Sequence, residues 1–201
     1  MFPRKPAAAA PPLNPQEGPL QDQSQYYGDQ YVSEIYLWCT RDYPRHWISS
    51  YTFSSQVFDP TGQDELGGVS IDMYQPFQHL YGDDVFGSED DLLGSVKIMA
   101  RKVTALYSSR SPLLIDLAFT RRVKVSELVA LIVANNLQYY RFNPAGSGCL
   151  FWQLTLINKF TAVGWLPPNA PQHFTGRVQN LAAREGQQAI PFPPAQGTFY
   201  R

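Results

Sequence analysis

Residues 113–137 read LLIDLAFTRRVKVSELVALIVANNL, and within this stretch the chain changes its hydrophobic period. Residues 113–119 are a short run of aliphatic and aromatic residues, which predicts a strand. Residues 125–137 instead place Leu128, Leu131 and Ile132 on one helical face, with Ser126 as the predicted N-cap. The segments before this point are predicted strands and those after it predicted helices, an order that favours an α+β fold.

The predicted strands upstream are rich in β-branched and aromatic residues and are separated by turn signals such as the DPTG of residues 59–62. They are residues 32–40 (VSEIYLWCT), 46–53 (HWISSYTF), 69–73 (VSIDM) and 93–107. We therefore expect an antiparallel sheet of about five to six strands packed against two or three helices. One form of this fold is a permuted papain-like arrangement.

The second clear helix is predicted over residues 149–163, CLFWQLTLINKFTAV. Cys149, Trp152, Leu156 and Phe160 recur at the three-to-four spacing of a buried helical face. Gly164 and a pair of prolines follow, as is typical of a helix end. Residues 171–185 are a third predicted helix, and residues 197–201 a short final strand.

The chain of 201 residues is long enough for one domain with a sizeable core. Residues 1–30 are rich in Pro, Ala, Gln and Gly and contain almost no large aliphatic side chains, so we expect a disordered tail. Residues 31–201 are predicted to form the single α+β domain.

Composition and charge exclude some classes of function. Sixteen basic and seventeen acidic residues give a net charge of −1, and no basic face predicts a nucleic-acid partner. No apolar run approaches the roughly 20 residues of a membrane span. The N-terminal apolar residues are interrupted by prolines, unlike a secretory signal. The sequence thus predicts a soluble, cytoplasmic protein with Cys39 and Cys149 as free thiols.

Metal and cofactor motifs are missing from the sequence. The three histidines and two cysteines lie far apart, and no glycine-rich phosphate loop precedes a helix. The acidic segment at residues 75–91 lacks the ligand spacing of a calcium loop, so a solvated loop is the expectation. We predict neither a metal site nor a cofactor. If this loop lies over Cys149, it gates or blocks a pocket there.

Cys149 is the most suggestive candidate for chemistry. It follows a glycine-containing loop, residues 146–148, and begins a predicted helix, where unpaired N–H groups and the helix dipole favour a thiolate. His46 begins a predicted strand and is the candidate base. Asp72, on the next predicted strand, is a speculative third residue that orients His46. A strand histidine followed by a helix cysteine resembles the layout of the lecithin retinol acyltransferase group.

The alternative is that Cys149 belongs to the core, because cysteine is among the most often buried residues and Trp152 shares its helical stripe. The protein is then a non-catalytic binding or accessory domain, with Trp47, Gly148 and Trp152 as speculative binding residues. Its partner would be a protein or an apolar small molecule. The sequence slightly favours this alternative over a thiol-dependent hydrolase or acyltransferase that uses Cys149 and His46.

Several short sequence motifs, taken together, resemble those of one family. They are the HW of residues 46–47, VSIDM, VSELVALI, the GSGCLFW of residues 146–152 and the GTF of residues 197–199. Through these motifs, residues 32–201 resemble a family of fungal proteins catalogued as domain of unknown function 7770. The resemblance implies a fungal source and a small intracellular protein. It assigns no activity and no functional residue.

Overall fold

A six-stranded sheet forms the framework of the protein in the computed structural model, which describes residues 19–43, 45–76, 92–186 and 189–200. The order across the sheet is β1-β5-β4-β3-β2-β6. Strand β1 runs parallel to β5, and the other neighbouring pairs are antiparallel. The strands are β1 Leu20–Asp22, β2 Tyr31–Cys39, β3 Trp47–Phe58, β4 Glu65–Tyr74, β5 Ser95–Lys102 and β6 Leu114–Lys124.

Three helices and a small two-stranded ribbon complete the fold. The helices are α1 Val125–Ala134, α2 Cys149–Ala162 and α3 Ala170–Glu185. The ribbon pairs β7 Tyr140–Arg141 with β8 Thr198–Phe199. This arrangement confirms the predicted α+β class, a sheet followed by helices, with one parallel edge pair in place of a purely antiparallel sheet.

Strand β1 lies in the segment for which the sequence predicted a disordered tail. Leu20–Asp22 pairs with residues 96–98 of β5, and Gln25–Tyr27 forms a 3₁₀ turn. An edge strand is held by backbone hydrogen bonds, which need no large aliphatic side chains, so composition did not reveal it. The tail prediction was therefore wrong for residues 20–22, and residues 1–18 lie outside the described part of the chain.

Two predicted boundaries also differ from the structure. Helix α1 begins at Val125, and its first turn is closed by the Glu127 carboxylate, which accepts a hydrogen bond from the Lys124 N–H at 2.8 Å, so Ser126 is not the cap. Strand β5 ends at Lys102, where a 3₁₀ turn begins, whereas the predicted strand ran to residue 107. Helix α2 begins at Cys149, as predicted.

The core lies between one face of the sheet and helices α2 and α3. Trp47 packs edge-on against Phe174 of α3, and Tyr51 packs edge-on against Phe160 of α2, each pair with ring centroids 6.1 Å apart. Since successive side chains of a strand point to opposite faces, Ile48 lies on the other face. The same alternation places residue 46 on the side of Ile48, at the end of the sheet where α2 begins.

Candidate active site

His46 lies immediately before β3, where the pairing with β2 continues for one more residue. The Thr40 N–H donates to the His46 carbonyl oxygen at 2.9 Å, and the His46 N–H donates to Thr40 Oγ1 at 2.9 Å. The backbone of His46 is therefore fixed on both sides. Its side chain is 30% exposed, so the ring is accessible from the surface.

Asp72 reaches the His46 ring from the neighbouring strand β4. The register pairs Asp72 with Ile48, so Asp72 is the diagonal cross-strand neighbour of His46 on the same face of the sheet. Asp72 Oδ1 lies 2.5 Å from His46 Nε2. The structure thus brings together two residues that are 26 positions apart in the sequence.

Cys149 is the first residue of α2 and lies beside the start of β3. Its Sγ is 3.9 Å from the carbonyl oxygen of Arg45, the residue before His46. The Cys149 thiol also acts on the His46 ring electrostatically, in the sense that raises the pKa of His46. His46, Asp72 and Cys149, which the sequence proposed as a group, therefore lie together at the wall of one cavity.

This cluster controls the protonation of His46. Burial on its own lowers the pKa of His46, but interactions with Asp72 and with Cys149 oppose that effect and raise the pKa of His46 to about 10. Two neighbours that both stabilise the imidazolium outweigh the loss of hydration. The imidazole consequently holds a second proton at neutral pH, next to the Cys149 sulfur.

The cluster opens into a cavity of about 510 Å³. Its walls come from the ends of strands β4 and β5, from the loop before α2 and from the segment that carries His46. The lining residues are Arg45, His46, Asp72, Tyr74, Gln75, Lys97, Met99, Phe142, Gly146, Ser147 and Cys149. Charged, amide and apolar groups thus converge on one space, as is typical of a small-molecule site.

A second cavity, of about 200 Å³, is also lined by Cys149. It shares Arg45, Ser147 and Cys149 with the larger cavity, whereas His46 and Asp72 do not line it. Its remaining walls are apolar: Trp47, Ala145, Leu150, Ala189, Ile190, Pro191 and Ala195. Cys149 therefore lines both a larger cavity with several charged residues and a smaller, mostly apolar one.

The turn that precedes Cys149 is held by Tyr140. The Tyr140 hydroxyl donates to the carbonyl oxygen of Gly148 at 3.0 Å and accepts the N–H of Gly197 at 2.8 Å. Gly148 has φ +150°, and a Cβ at this position would lie 2.6 Å from the Tyr140 hydroxyl. Only glycine fits here, so Gly148 shapes the turn that positions Cys149.

The loop before this turn is closed by Asn143. Its side-chain oxygen accepts hydrogen bonds from the backbone N–H groups of Ala145 and Ser147, at 3.1 and 2.9 Å. The Asn143 N–H also donates to the Ser147 carbonyl oxygen at 3.0 Å. Ser147 and Gly146 are thereby fixed as part of the cavity wall.

Arg45 anchors the segment that carries His46. Its buried guanidinium forms an ion pair with Glu185 at the end of α3 and donates to the carbonyl oxygens of Thr40 and Arg41, at 2.9 and 3.1 Å. A buried charge that is paired and hydrogen-bonded on several sides has little freedom to move. The position of His46 therefore depends on the C-terminal end of α3.

Gln75 is a buried amide at the wall of the larger cavity. The residue is only 4% exposed, and its Nε2 has no hydrogen-bond partner within the described part of the chain. Unpaired buried donors are rare because each costs the full desolvation of the group. Gln75 thus presents an unused N–H donor beside the Cys149 cluster.

The three predicted binding residues, Trp47, Gly148 and Trp152, lie in three different environments. Trp47 lines the smaller cavity, and Gly148 forms the turn before α2. Trp152 is fully buried, and its indole N–H donates to the Leu137 carbonyl oxygen at 2.8 Å. Trp152 is therefore a core residue, away from the lining of both cavities.

Sequence reasoning missed the supporting residues Arg45, Gln75 and Tyr140. Gln75 and Arg45 flank predicted strands, and no spacing or motif distinguishes them from other polar residues at strand ends. Tyr140 lies in a short extended segment whose pairing with β8 is set by residues almost 60 positions later. The acidic loop proposed as a gate lies largely outside the described residues, since 77–91 are not described.

Neither a metal-binding cluster nor a membrane-spanning helix is present among the residues that the structure describes. No group of three or more His, Cys, Asp or Glu side chains in that part of the chain is arranged to hold a metal ion. No helix there has the length and apolar character needed to cross a membrane.

Comparison with known proteins identifies one relationship. The model of a family described as a domain of unknown function, DUF7770, matches residues 64–200. The match includes Asp72, Gln75 and Cys149, whereas His46 precedes it. No curated protein and no solved structure matches the chain. Because the matched region is more than half of the sequence, the chain belongs to the DUF7770 family.

Proposed function

We propose that this protein is a thiol-dependent hydrolase or acyltransferase. The observation that carries the proposal is the His46 ring, hydrogen-bonded to the Asp72 carboxylate and lining the same cavity as the Cys149 thiol, whose Sγ contacts the neighbouring Arg45 carbonyl oxygen. A nucleophile, a base and a residue that orients the base are the three parts of an activated thiol.

The residues have separate roles in this mechanism. In this mechanism the thiol proton of Cys149 has passed to the His46 imidazole before the substrate reacts, and the thiolate attacks the carbonyl carbon of the substrate. The bond from that carbon to the leaving group then breaks, and the leaving group receives the proton from His46. Water completes hydrolysis of the thioester, or another nucleophile receives the acyl group.

The two nitrogens of the imidazole support this division of roles. Asp72 engages Nε2, so Nδ1 is the nitrogen left for the proton of Cys149. The Asp72 carboxylate fixes the ring orientation and stabilises the imidazolium. The raised pKa of His46 stabilises the imidazolium that holds the transferred proton.

The start of α2 supports the same assignment. Its first intrahelical bond runs from the Trp152 N–H to the Gly148 carbonyl oxygen at 2.9 Å, so the N–H groups of the first turn point out of the helix. Together with the helix dipole they stabilise negative charge on Cys149 and on an oxyanion formed beside it. A cytoplasmic location, which we also propose, would keep this thiol reduced.

The non-catalytic alternative predicts a different kind of cavity. A binding domain for an apolar ligand needs an apolar space without converging polar groups. The larger cavity is instead lined by the hydrogen-bonded His46 and Asp72, by Cys149 and by Gln75, whose amide donor has no partner among the described residues. This convergence favours the thiol enzyme over the accessory domain.

The test is the pH dependence of alkylation by iodoacetamide, with the labelled cysteine located by mass spectrometry. Burial raises the pKa of Cys39 to about 11, so Cys39 stays unlabelled in the folded protein at neutral pH. We expect Cys149 to react below the pH at which free cysteine reacts, about 8.5. The variant His46→Ala should move the reaction of Cys149 to higher pH.

The matched control is His173→Ala, since His173 is an exposed histidine on α3. This variant should react like the wild type. Reaction of Cys149 only after unfolding, or the same profile in His46→Ala and wild type, would contradict the proposed function.

A further inference from the structure

We propose that Gln75 is a further catalytic residue, whose Nε2–H binds the carbonyl oxygen of an acyl substrate together with the backbone N–H of Cys149. This inference rests on the proposed function and assigns the substrate to a class, the esters, thioesters and amides. Each of these has a carbonyl oxygen that becomes an oxyanion when the thiolate attacks.

Three observations place the two donors in one site. Gln75 and Cys149 line the same cavity, Gln75 from the end of β4 and Cys149 from the start of α2. The Nε2 of Gln75 is buried, with no partner among the described residues. The N–H of Cys149 precedes the first intrahelical hydrogen bond of α2, so the helix leaves it available.

The unpaired amide has a physical explanation in this role. A donor that is desolvated before the substrate binds needs no reorganisation when charge develops on the substrate oxygen, and it is strongest in a dry site. Without substrate the same donor is a cost, because Gln75 is only 4% exposed and its Nε2 has no partner among the described residues. Such an uncompensated cost is typical of a group that is used only during the reaction.

The test compares two reactions of Cys149 that differ in one feature. Acylation by p-nitrophenyl acetate passes through an oxyanion, whereas alkylation by iodoacetamide is a displacement and forms none. The variant Gln75→Met keeps the side-chain length and removes the donor. We expect acylation to slow by about 10²-fold, as for loss of an oxyanion donor, and alkylation to change by less than about twofold.

A matched control is Gln138→Met. Gln138 is also buried, with an unpaired amide oxygen within the described part of the chain, but it does not line this cavity. It should leave the ratio of acylation to alkylation unchanged. If Gln75→Met does not fold, Gln75→Glu is the second variant, because a carboxylate of the same size accepts hydrogen bonds and repels an oxyanion.

The outcomes separate this inference from the proposed function. If wild-type Cys149 is acylated and the ratio is unchanged in the Gln75 variants, the role of Gln75 is overturned and the thiol enzyme stands. If wild-type Cys149 is alkylated readily but never acylated, the acyl substrate class is overturned. If Cys149 reacts with neither reagent while folded, the proposed function itself fails.

A second inference stands on the smaller cavity. We infer that this cavity binds an apolar acyl chain of the substrate, while the leaving group lies in the larger cavity. His46 must give its proton to the leaving group, and His46 lines only the larger cavity. The acyl chain therefore extends from Cys149 into the smaller cavity, which Trp47 and Ile190 also line.

The volume sets the size of that chain. A cavity of about 150 Å³ holds one benzene molecule, and the smaller cavity measures about 200 Å³. A chain of about six carbons fits such a space. Among p-nitrophenyl esters, we expect acylation to rise about fourfold for each added methylene up to the hexanoyl ester, since each one is buried.

The variant Ala195→Leu tests this placement, because Ala195 lines the smaller cavity and a leucine there occupies part of it. It should remove the advantage of the hexanoyl ester and leave the acetyl ester within about twofold of wild type. Ala105→Leu, at an exposed residue outside both cavities, is the control. Equal rates for all wild-type esters, or a hexanoyl advantage that survives in Ala195→Leu, would overturn the assignment.

Discussion

Asp72 Oδ1 lies 2.5 Å from Nε2 of His46, although His46 immediately precedes β3 and Asp72 lies near the end of β4. The contact exists because Ile48 and Asp72 are register partners and His46 lies two residues before Ile48. Because Asp72 contacts Nε2, the other imidazole nitrogen, Nδ1, is the one that can interact with Cys149. The chemistry of the site therefore depends on the β3–β4 register.

Asp72→Asn is predicted to impair the site without unfolding the protein. Asparagine has nearly the same shape, but it lacks the charge that stabilises the imidazolium. We expect acylation of Cys149 by p-nitrophenyl acetate to slow by about 10²-fold or more, and the pKa of His46 to fall towards 6.5 in an NMR titration of the imidazole. Asp116→Asn, at an exposed position of β6, should change neither quantity.

Stability is predicted to depend on pH through His46. The pKa of His46 is raised to about 10 in the folded protein, above its ordinary value of 6.5. The folded state therefore binds the proton more tightly, and the resulting stability is fully present below about pH 6.5 and is lost as pH rises through about 10. Urea unfolding at pH 6 and pH 10 should show a smaller decline in His46→Ala than in wild type.

The control for this titration is again His173→Ala, which should follow the wild-type curve, since His173 is exposed. Groups other than His46 titrate over the same range in all three proteins. The informative quantity is consequently the difference between variants. Identical pH dependence in His46→Ala and wild type would show that the His46 cluster does not stabilise the fold.

Glu185→Gln is predicted to destabilise the protein by about 2 kcal/mol. It leaves the buried guanidinium of Arg45 without its anionic partner, and urea unfolding measures the loss. Breaking the exposed pair of Lys102 and Asp64, whose side chains are 58% and 45% exposed, should cost less than about 1 kcal/mol in Lys102→Met. Equal effects of the two changes would contradict an anchoring role for Arg45.

Gly148→Ala is predicted to destabilise the turn before α2 by about 1–3 kcal/mol. The backbone has φ +150°, and the added Cβ would collide with the Tyr140 hydroxyl. Gly176→Ala is the comparison, because Gly176 is inside α3 with open space around it and should gain about 0.5–1 kcal/mol. Thermal unfolding of both variants checks the opposite signs.

Much of the fold was predictable because it depends on local pattern. The period change near residue 124 marks the passage from strand to helix, and β6 ends there as α1 begins. The start of α2 at Cys149 follows from the glycine loop before an amphipathic run. The edge strand β1 was not predictable, since its pairing is made by backbone groups and leaves no hydrophobic pattern.

The candidate site was predictable only in part. His46 and Cys149 stood out because nucleophilic and basic side chains are few in this sequence, and Asp72 followed from its place on the neighbouring strand. Arg45 and Gln75 carried no such signal. A polar residue at a strand end becomes an anchor or an oxyanion donor only through the groups that surround it in space.

By itself, then, the sequence determined the order of strands and helices, the glycine turn before Cys149 and the residue types available for thiol chemistry. These are set by side-chain period, backbone freedom and composition, all of which act over a few residues. The tertiary structure alone decided the β3–β4 register that joins Asp72 to His46 and the packing that isolates the Gln75 amide. Both arise from contacts between distant segments, whose geometry is fixed only when the sheet and α2 come together.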